Sequence, residues 1–184
     1  MNGTQRYVLS GLVAAALALG VFQGSFAKRV SAGGEGAQAV LRNANGTPVG
    51  IVKFTEEAGK VLVRAVVHDL PPGFHGFHVH AIGQCIPTGF TSAGGHFNPA
   101  GQSHAHHGGD LPVLYVNGDG SGEARFKTDR FVVSDLFDAD GSTLIVHALP
   151  DNYANIPTRY VPAPDATTLA TGDAGGRIAC GVVE

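Results

Sequence analysis

From residue 37 onward, short runs in which apolar and polar side chains alternate, or β-branched residues cluster, follow one another closely. They cover Ala37–Arg42, Pro48–Phe54, Lys60–His68, Phe74–His80, Leu111–Val116, Gly122–Lys127, Arg130–Val133 and Thr143–His147. A period of two turns every second side chain to the same face, so each run is predicted to be a β-strand with one side toward a core. Between them stand Asn45-Gly46, Glu57-Ala58-Gly59, Pro71-Pro72-Gly73, Asn117-Gly118-Asp119-Gly120 and Asp140-Gly141, residues that tolerate the positive φ of tight turns. No convincing amphipathic helix follows residue 27. Short strands at regular spacing predict an all-β domain, an antiparallel sandwich or barrel.

Two stretches break the rhythm: Ala81 to Asp110 and Ala148 to Ala174, both rich in Gly and Pro and without periodicity. Long irregular loops in a small domain need something other than a hydrogen-bonded ladder to order them, and loops on a rigid scaffold carry function more often than strands do. The active site is expected there.

The first 27 residues follow a different pattern. Arg6 is their only charged side chain, an apolar run extends from Tyr7 to Phe22, and Ser25-Phe26-Ala27 closes the segment with small residues around Phe26. This is the three-part layout of a secretory signal, with cleavage expected after Ala27. An uncleaved anchor is the competing reading, but the run falls short of the ~20 residues a spanning helix needs. No stable membrane insertion is therefore expected once the leader is removed. No cysteine follows the run, which excludes a lipid on an N-terminal cysteine. Residues 28–36 are small, polar and Gly-rich and read as a flexible lead, leaving 37–184 as one domain.

The chain carries a formal charge of −3 and no basic run, which makes a nucleic-acid partner improbable. Met occurs once and Trp not at all, unlike the Met-rich sequences that carry cuprous ions. The two cysteines, Cys85 and Cys180, would both be exported to an oxidising compartment and are expected to pair. The alternative, two thiolate metal ligands, fits less well because sulfur is absent from the histidine clusters described next.

Most of the nine histidines fall between His75 and His107. His78 and His80 lie two apart on a predicted strand, so both rings leave one face with Cα atoms ~6.5 Å apart, a span one metal ion can bridge. An H-x-H pair alone is weak evidence. His147 ends another strand-like run and could lie beside the pair, and His96 sits in the flexible Ser92-Ala93-Gly94-Gly95 context that can bring it close. Three or four imidazoles favour copper or zinc. His104, His107 and Asp110 add two imidazoles and a hard carboxylate, nearly a zinc tetrahedron, with His96 the candidate for the fourth place. Two metals are expected rather than one.

Taken together, these segments resemble the copper-zinc superoxide dismutases of the exported bacterial kind. The resemblance rests on Gly76-Phe77-His78-Val79-His80, on Ser92-Ala93-Gly94-Gly95-His96-Phe97-Asn98-Pro99, on His107-Gly108-Gly109-Asp110-Leu111-Pro112, on Val146-His147, and on the run Thr171-Gly172-Asp173-Ala174-Gly175-Gly176-Arg177-Ile178-Ala179-Cys180-Gly181-Val182. It spans almost the whole domain, with order, spacing and residue type in agreement. It implies an eight-stranded antiparallel Greek-key barrel or sandwich with two long functional loops.

The resemblance further implies copper held by His78, His80, His96 and His147, and zinc held by His96, His104, His107 and Asp110, with His96 bridging the two. Asp151 would link a copper histidine to a zinc histidine through hydrogen bonds, Arg177 would bind the anion, and Thr171 would narrow its approach. His75 would be structural, and His68 a strand-end residue. The run His104-Ala105-His106-His107 offers three imidazoles for two zinc places, so His104 and His106 compete for one of them. The implied reaction is superoxide disproportionation, one anion reducing Cu(II) and leaving as oxygen, a second reoxidising Cu(I) and leaving as hydrogen peroxide, with protons delivered through His96. A non-catalytic copper or zinc buffer on the same fold is the rival reading. Monomer and homodimer are both open.

Overall fold

The structure, a computed structural model, describes residues 36–184 together with Met1. The leader expected at 1–27 lies outside the described residues, Met1 excepted, as does the lead at 28–36 except Gly36, which opens the first strand. Among the described residues no helix is long and apolar enough to cross a membrane.

Nine strands form two sheets: β1 Gly36–Asn43, β2 Pro48–Glu57, β3 Lys60–Val67, β4 Gly73–His75, β5 Phe77–His80, β6 Leu114–Val116, β7 Gly122–Thr128, β8 Thr143–His147 and β9 Arg177–Val182. Seven of them pair antiparallel in the order β5-β8-β9-β1-β2-β3-β7, and β4 pairs with β6 in a separate two-stranded sheet. The connection from β7 to β8 crosses from one edge of the large sheet to the second place at the other end. The alternation seen in the sequence is the alternation of burial. In β1, Ala37, Ala39 and Leu41 are buried, and Gln38 between them is exposed. These join Val52, Phe54, Val61, Val63, Phe77, Val79, Leu144 and Val146 in one apolar core. Burying each large aliphatic or aromatic side chain of that set contributes roughly 1.5–3 kcal/mol relative to leaving it in water.

β8 is buried along its whole length because it has neighbours on both faces. Leu144 and Val146 point into the main core. Ile145 instead packs with Phe90, Ala93 and Cys180 in a second cluster, which Cys85 partly covers. Cys85 and Cys180 form a disulfide with Cα atoms 5.7 Å apart, closing a separation of 95 residues and fastening the Ala81–Asp110 loop to β9. The expected pairing is the observed one.

Four local expectations differ from the structure. The run Phe74–His80 is two strands in two sheets, broken at Gly76, where a Cβ would stand 2.6 Å from the Ala174 methyl. Gly76 instead uses its backbone, donating to Leu149 O and accepting from His147 N, both at 2.8 Å. Leu111–Val116 is strand only from Leu114, since Pro112 has no N–H and Val113 N donates to the Tyr153 hydroxyl. Arg130–Val133 is no strand: the chain leaves the sheet after Thr128, and Val133–Phe137 forms a 3-10 turn. β9 lies in a segment that the strand pattern alone did not mark, behind Gly175-Gly176 and interrupted by Gly181. One helical turn, α1 at Thr168–Thr171, stands inside the second irregular stretch.

Candidate metal centre

The site begins with β5. Its pleat sends Phe77 and Val79 into the core and leaves His78 and His80 together on the opposite face. β5 also ends the large sheet, so its outer edge has unpaired backbone groups. The histidine loop covers that edge: Phe97 N donates to Val79 O at 2.8 Å, Val79 N donates to Gly109 O at 2.9 Å, and Gly109 N donates to Phe97 O at 2.7 Å. His96 is thereby bridged to His80, and Asp110 to His78, in strand-like register. Gly109 permits the approach, because a Cβ there would overlap the Val79 carbonyl. From the other side β8 pairs with β5, and His147 at its end turns toward His80.

Beside a linking trio of His78, His104 and Asp151, two four-residue groups of potential ligands result, each with its donor atoms within 4.8 Å of one another: His78, His80, His96 and His147, and His96, His104, His107 and Asp110. His96 belongs to both. Its Nδ1 lies 2.8 Å from Asp110 Oδ1 and 3.2 Å from His107 Nδ1, facing the second group, while its ring centroid is 4.1 Å from that of His78. All of these side chains are buried. His104 is among them and His106 is exposed, so only the former of the two competitors reaches the cluster.

The hydrogen bonds determine which ring nitrogens are free. A carbonyl oxygen only accepts, so His80 Nδ1–H donates to Gly94 O at 3.0 Å and His147 Nδ1–H donates to Gly175 O at 3.2 Å. Burial pushes the pKa of His147 down to about 3 and that of His80 well below its usual value, which keeps both rings neutral. Their Nε2 atoms then meet at 3.3 Å, lone pair toward lone pair. His78 Nε2 donates to Asp151 Oδ2 at 2.8 Å, and its buried Nδ1 has no partner. Burial pushes His78 down to about 4 as well. Converging, neutral and otherwise unsatisfied nitrogens are what a soft dication needs, and without one they would repel. The residues fit a metal.

Asp151 joins the two groups. Its Oδ2 accepts from His78 and its Oδ1 from His104 Nε2, each at 2.8 Å, and Tyr153 N donates to the same Oδ1 at 2.7 Å. His104 Nδ1, again buried, lies 3.1 Å from Asp110 Oδ2 without a hydrogen bond. Burial pushes the His104 pKa down, but the carboxylates of Asp110 and Asp151 outweigh it and hold the ring at about 9. Burial likewise raises both carboxyls, and their imidazole partners overcome it and keep them well below the ordinary carboxylate range.

Arg177 opens β9 opposite His147. Its Nη1 donates to Phe90 O at 2.6 Å and its Nη2 to Gly94 O at 2.5 Å, so the Gly94 carbonyl touches both Arg177 and His80. The Phe90 cluster beneath the disulfide thus positions the guanidinium. Thr171 ends α1, where its hydroxyl donates to Thr167 O at 2.9 Å rather than reaching into the histidine cluster. His75 lies with Nδ1 2.7 Å from His147 O and Nε2 2.8 Å from Pro71 O, a brace behind the site, and His68 is exposed beside Asp69. Sequence reasoning missed Gly172 and Tyr153. Gly172, at φ +59°, packs so closely on Asp151 and His104 that a Cβ would overlap both. Neither position carries a chemical signature in the sequence.

The Copper/zinc superoxide dismutase (SODC) family model matches residues 49–183. A Cu-Zn superoxide dismutase of Mycobacterium tuberculosis is 42% identical over 172 residues, covering 83% of this chain and 72% of the relative. Superoxide dismutase [Cu-Zn] 2 of Aquifex aeolicus is 34% identical over 189 residues, covering 95% and 98%. Among solved structures, the Cu/Zn superoxide dismutase from Brucella abortus superposes with a TM-score of 0.67 at 29% identity, covering 82% of this chain and all of that one. A strand-borne histidine pair, a loop that shares His96 between two ligand groups, and matches across most of the length agree, and the chain belongs to the copper/zinc superoxide dismutase family.

Proposed function

We propose that this protein is an exported superoxide dismutase that converts two superoxide anions and two protons into dioxygen and hydrogen peroxide. In this reading His78, His80, His96 and His147 hold copper, and His96, His104, His107 and Asp110 hold zinc. The observation that carries it is the sharing of His96 between two complete ligand groups. Bound copper supplies one-electron oxidation and reduction, and zinc, which has no redox chemistry, neutralises charge and fixes the shared ring.

The chain's own residues supply the rest. Asp151 sets the tautomers of His78 and His104 by accepting from both Nε2 atoms, so that Nδ1 of each faces its ligand group. Gly94 O and Gly175 O do the same for His80 and His147. The Arg177 guanidinium, half-buried and held by Phe90 O and Gly94 O, presents a fixed positive charge to a small anion. The nitrogen of His96 that faces the first group would hold a proton for the reduced product.

Stopped-flow decay of superoxide on the copper- and zinc-loaded protein tests the reading, with metal analysis and a copper EPR spectrum taken on the same sample. Decay well above the spontaneous rate, with one copper in a nitrogen-rich site per chain, is expected. Decay at the spontaneous rate with both metals bound would leave a non-catalytic metal buffer. The apolar run from Tyr7 to Phe22 supports export, and N-terminal sequencing of the extracytoplasmic protein is expected to begin at Lys28.

A further inference from the structure

We propose that Arg130 is a positioning residue for the zinc loop, holding its backbone from outside so that His104, His107 and Asp110 converge inside. The inference rests on the zinc assignment above. β7 ends at Thr128, whose hydroxyl accepts from Arg130 N at 3.2 Å and turns the chain out of the sheet. The next residue, Phe131, is an anchor: it is buried, with its ring centroid 6.2 Å from Phe54 and 6.4 Å from Phe97, the neighbour of His96. This fixes where the Arg130 side chain starts. Its Nη1 then donates to three carbonyls of the histidine loop: Ala105 O at 2.8 Å, His107 O at 3.1 Å and, as the long arm, Asp110 O at 3.4 Å.

Two of those carbonyls belong to members of the second ligand group, and the third follows His104 directly. The loop's other backbone ties here are local turns, His106 N to Ser103 O and Asp110 N to His107 O, together with His104 N to Leu169 O and, at the far end, Val79 N to Gly109 O and Gly109 N to Phe97 O. These fix the segment at His104 and at Gly109 and leave residues 105–107 to a local turn. A guanidinium on a Phe131-anchored turn reaches that middle part from outside, and its Nη1 alone spans three acceptors. Arg130 is exposed, its shortest bond, to Ala105 O, lies at the surface, and those to His107 O and Asp110 O are only partly buried, so its loss costs little buried hydrogen bonding. Folding is therefore little affected, whereas the preorganisation of the ligands is lost.

The test uses the full-length protein, stripped of metal, with zinc affinity measured by chelator competition and the ligand geometry followed by the absorption spectrum of cobalt placed at the zinc position. Arg130→Met is expected to weaken zinc by roughly 10- to 100-fold, the range seen when partners behind metal ligands are removed. It should also shift the cobalt bands while leaving copper affinity and the metal-free thermal midpoint unchanged. Arg130→Lys, which keeps a multi-donor cation but on a shorter side chain, should recover part of the affinity. Zinc binding by Arg130→Met equal to the parent's would overturn the assignment, as would a parallel loss of metal-free stability that Lys does not rescue. A parent protein that takes up no zinc would remove both this inference and the functional reading beneath it.

Discussion

Asp151 shows how much of the centre depends on single side chains. It accepts one imidazole N–H from each ligand group, so an amide in its place removes the carboxylate charge and turns one of the two acceptor oxygens into an NH2 donor among N–H donors. Asp151→Asn is expected to lower zinc affinity by roughly 10- to 100-fold, measured by chelator competition, and an unchanged affinity would show that the ring orientations are set elsewhere. Gly172→Ala should produce the same defect without replacing any ligand, since its methyl would occupy the space of Asp151 Oδ1 and His104 Nε2 and push both aside. Arg177→Ala separates anion binding from metal binding: turnover should fall and its dependence on ionic strength flatten, with copper and zinc contents retained. Equal activity and an unchanged salt response would dismiss that role. The clustered histidines and Asp110 were legible in the sequence as potential metal ligands because their side chains carry chemistry and stand in recognisable spacing, whereas Asp151 and Arg177 were singled out only through the family resemblance. Gly172 and Arg130 were legible in neither way. A glycine's contribution is an absent Cβ, meaningful only once a neighbour is known to fill the space, and an exposed arginine that binds carbonyls resembles any surface cation.

At the scale of elements, the alternating runs β1 to β3 and the fully buried β8 stand close to where the pattern placed them. Errors collect where the backbone serves the site. Gly76 splits one expected strand because His147 and Leu149 use its peptide groups. Arg130–Val133 has the apolar residues of a strand, but Phe131 is spent on Phe54 and Phe97 in a turn that leaves the sheet. β9 was hidden by glycines, among them Gly181, whose Cβ would press on the Val40 carbonyl at 2.8 Å. The disulfide is the other element-scale device, because it holds the loop that carries Phe90 and Gly94 against β9. Replacing Cys85 and Cys180 together by serine is expected to reduce stability by about 2–5 kcal/mol, read from the urea midpoint. It should also reduce turnover at full metal content, because the acceptors of Arg177 are no longer fixed. Retained turnover in that variant would mean that the apolar cluster alone orders the loop.

Over the whole molecule, a continuous core and a loop-built centre are stabilised by different means. The core strands have ladder hydrogen bonds and buried apolar surface whether or not a metal is bound. Beyond the few bonds that fasten Phe97 and Gly109 to β5, residues 98–108 and the stretch from Ala148 to Ala174 lie outside those ladders. Removing metal should therefore lower the thermal midpoint, since ligands that bind only the folded state stabilise it by mass action. Hydrogen exchange should rise chiefly at residues 98–113 and 150–175, with β1 to β3 still protected, and uniform exchange across the barrel would contradict this division. The amino-acid sequence by itself determined the all-β class, the disulfide pair and which side chains could serve as metal ligands, because period-two burial, cysteine count and donor chemistry are properties of residue type and spacing. Tertiary structure decided between His104 and His106, burying the former and exposing the latter, and set the distances at which Asp151 meets both groups. It also decided that the free edge of β5 is the template on which His96 and Asp110 are laid. Those outcomes depend on atoms far apart in the chain meeting in three dimensions, which no spacing along it encodes.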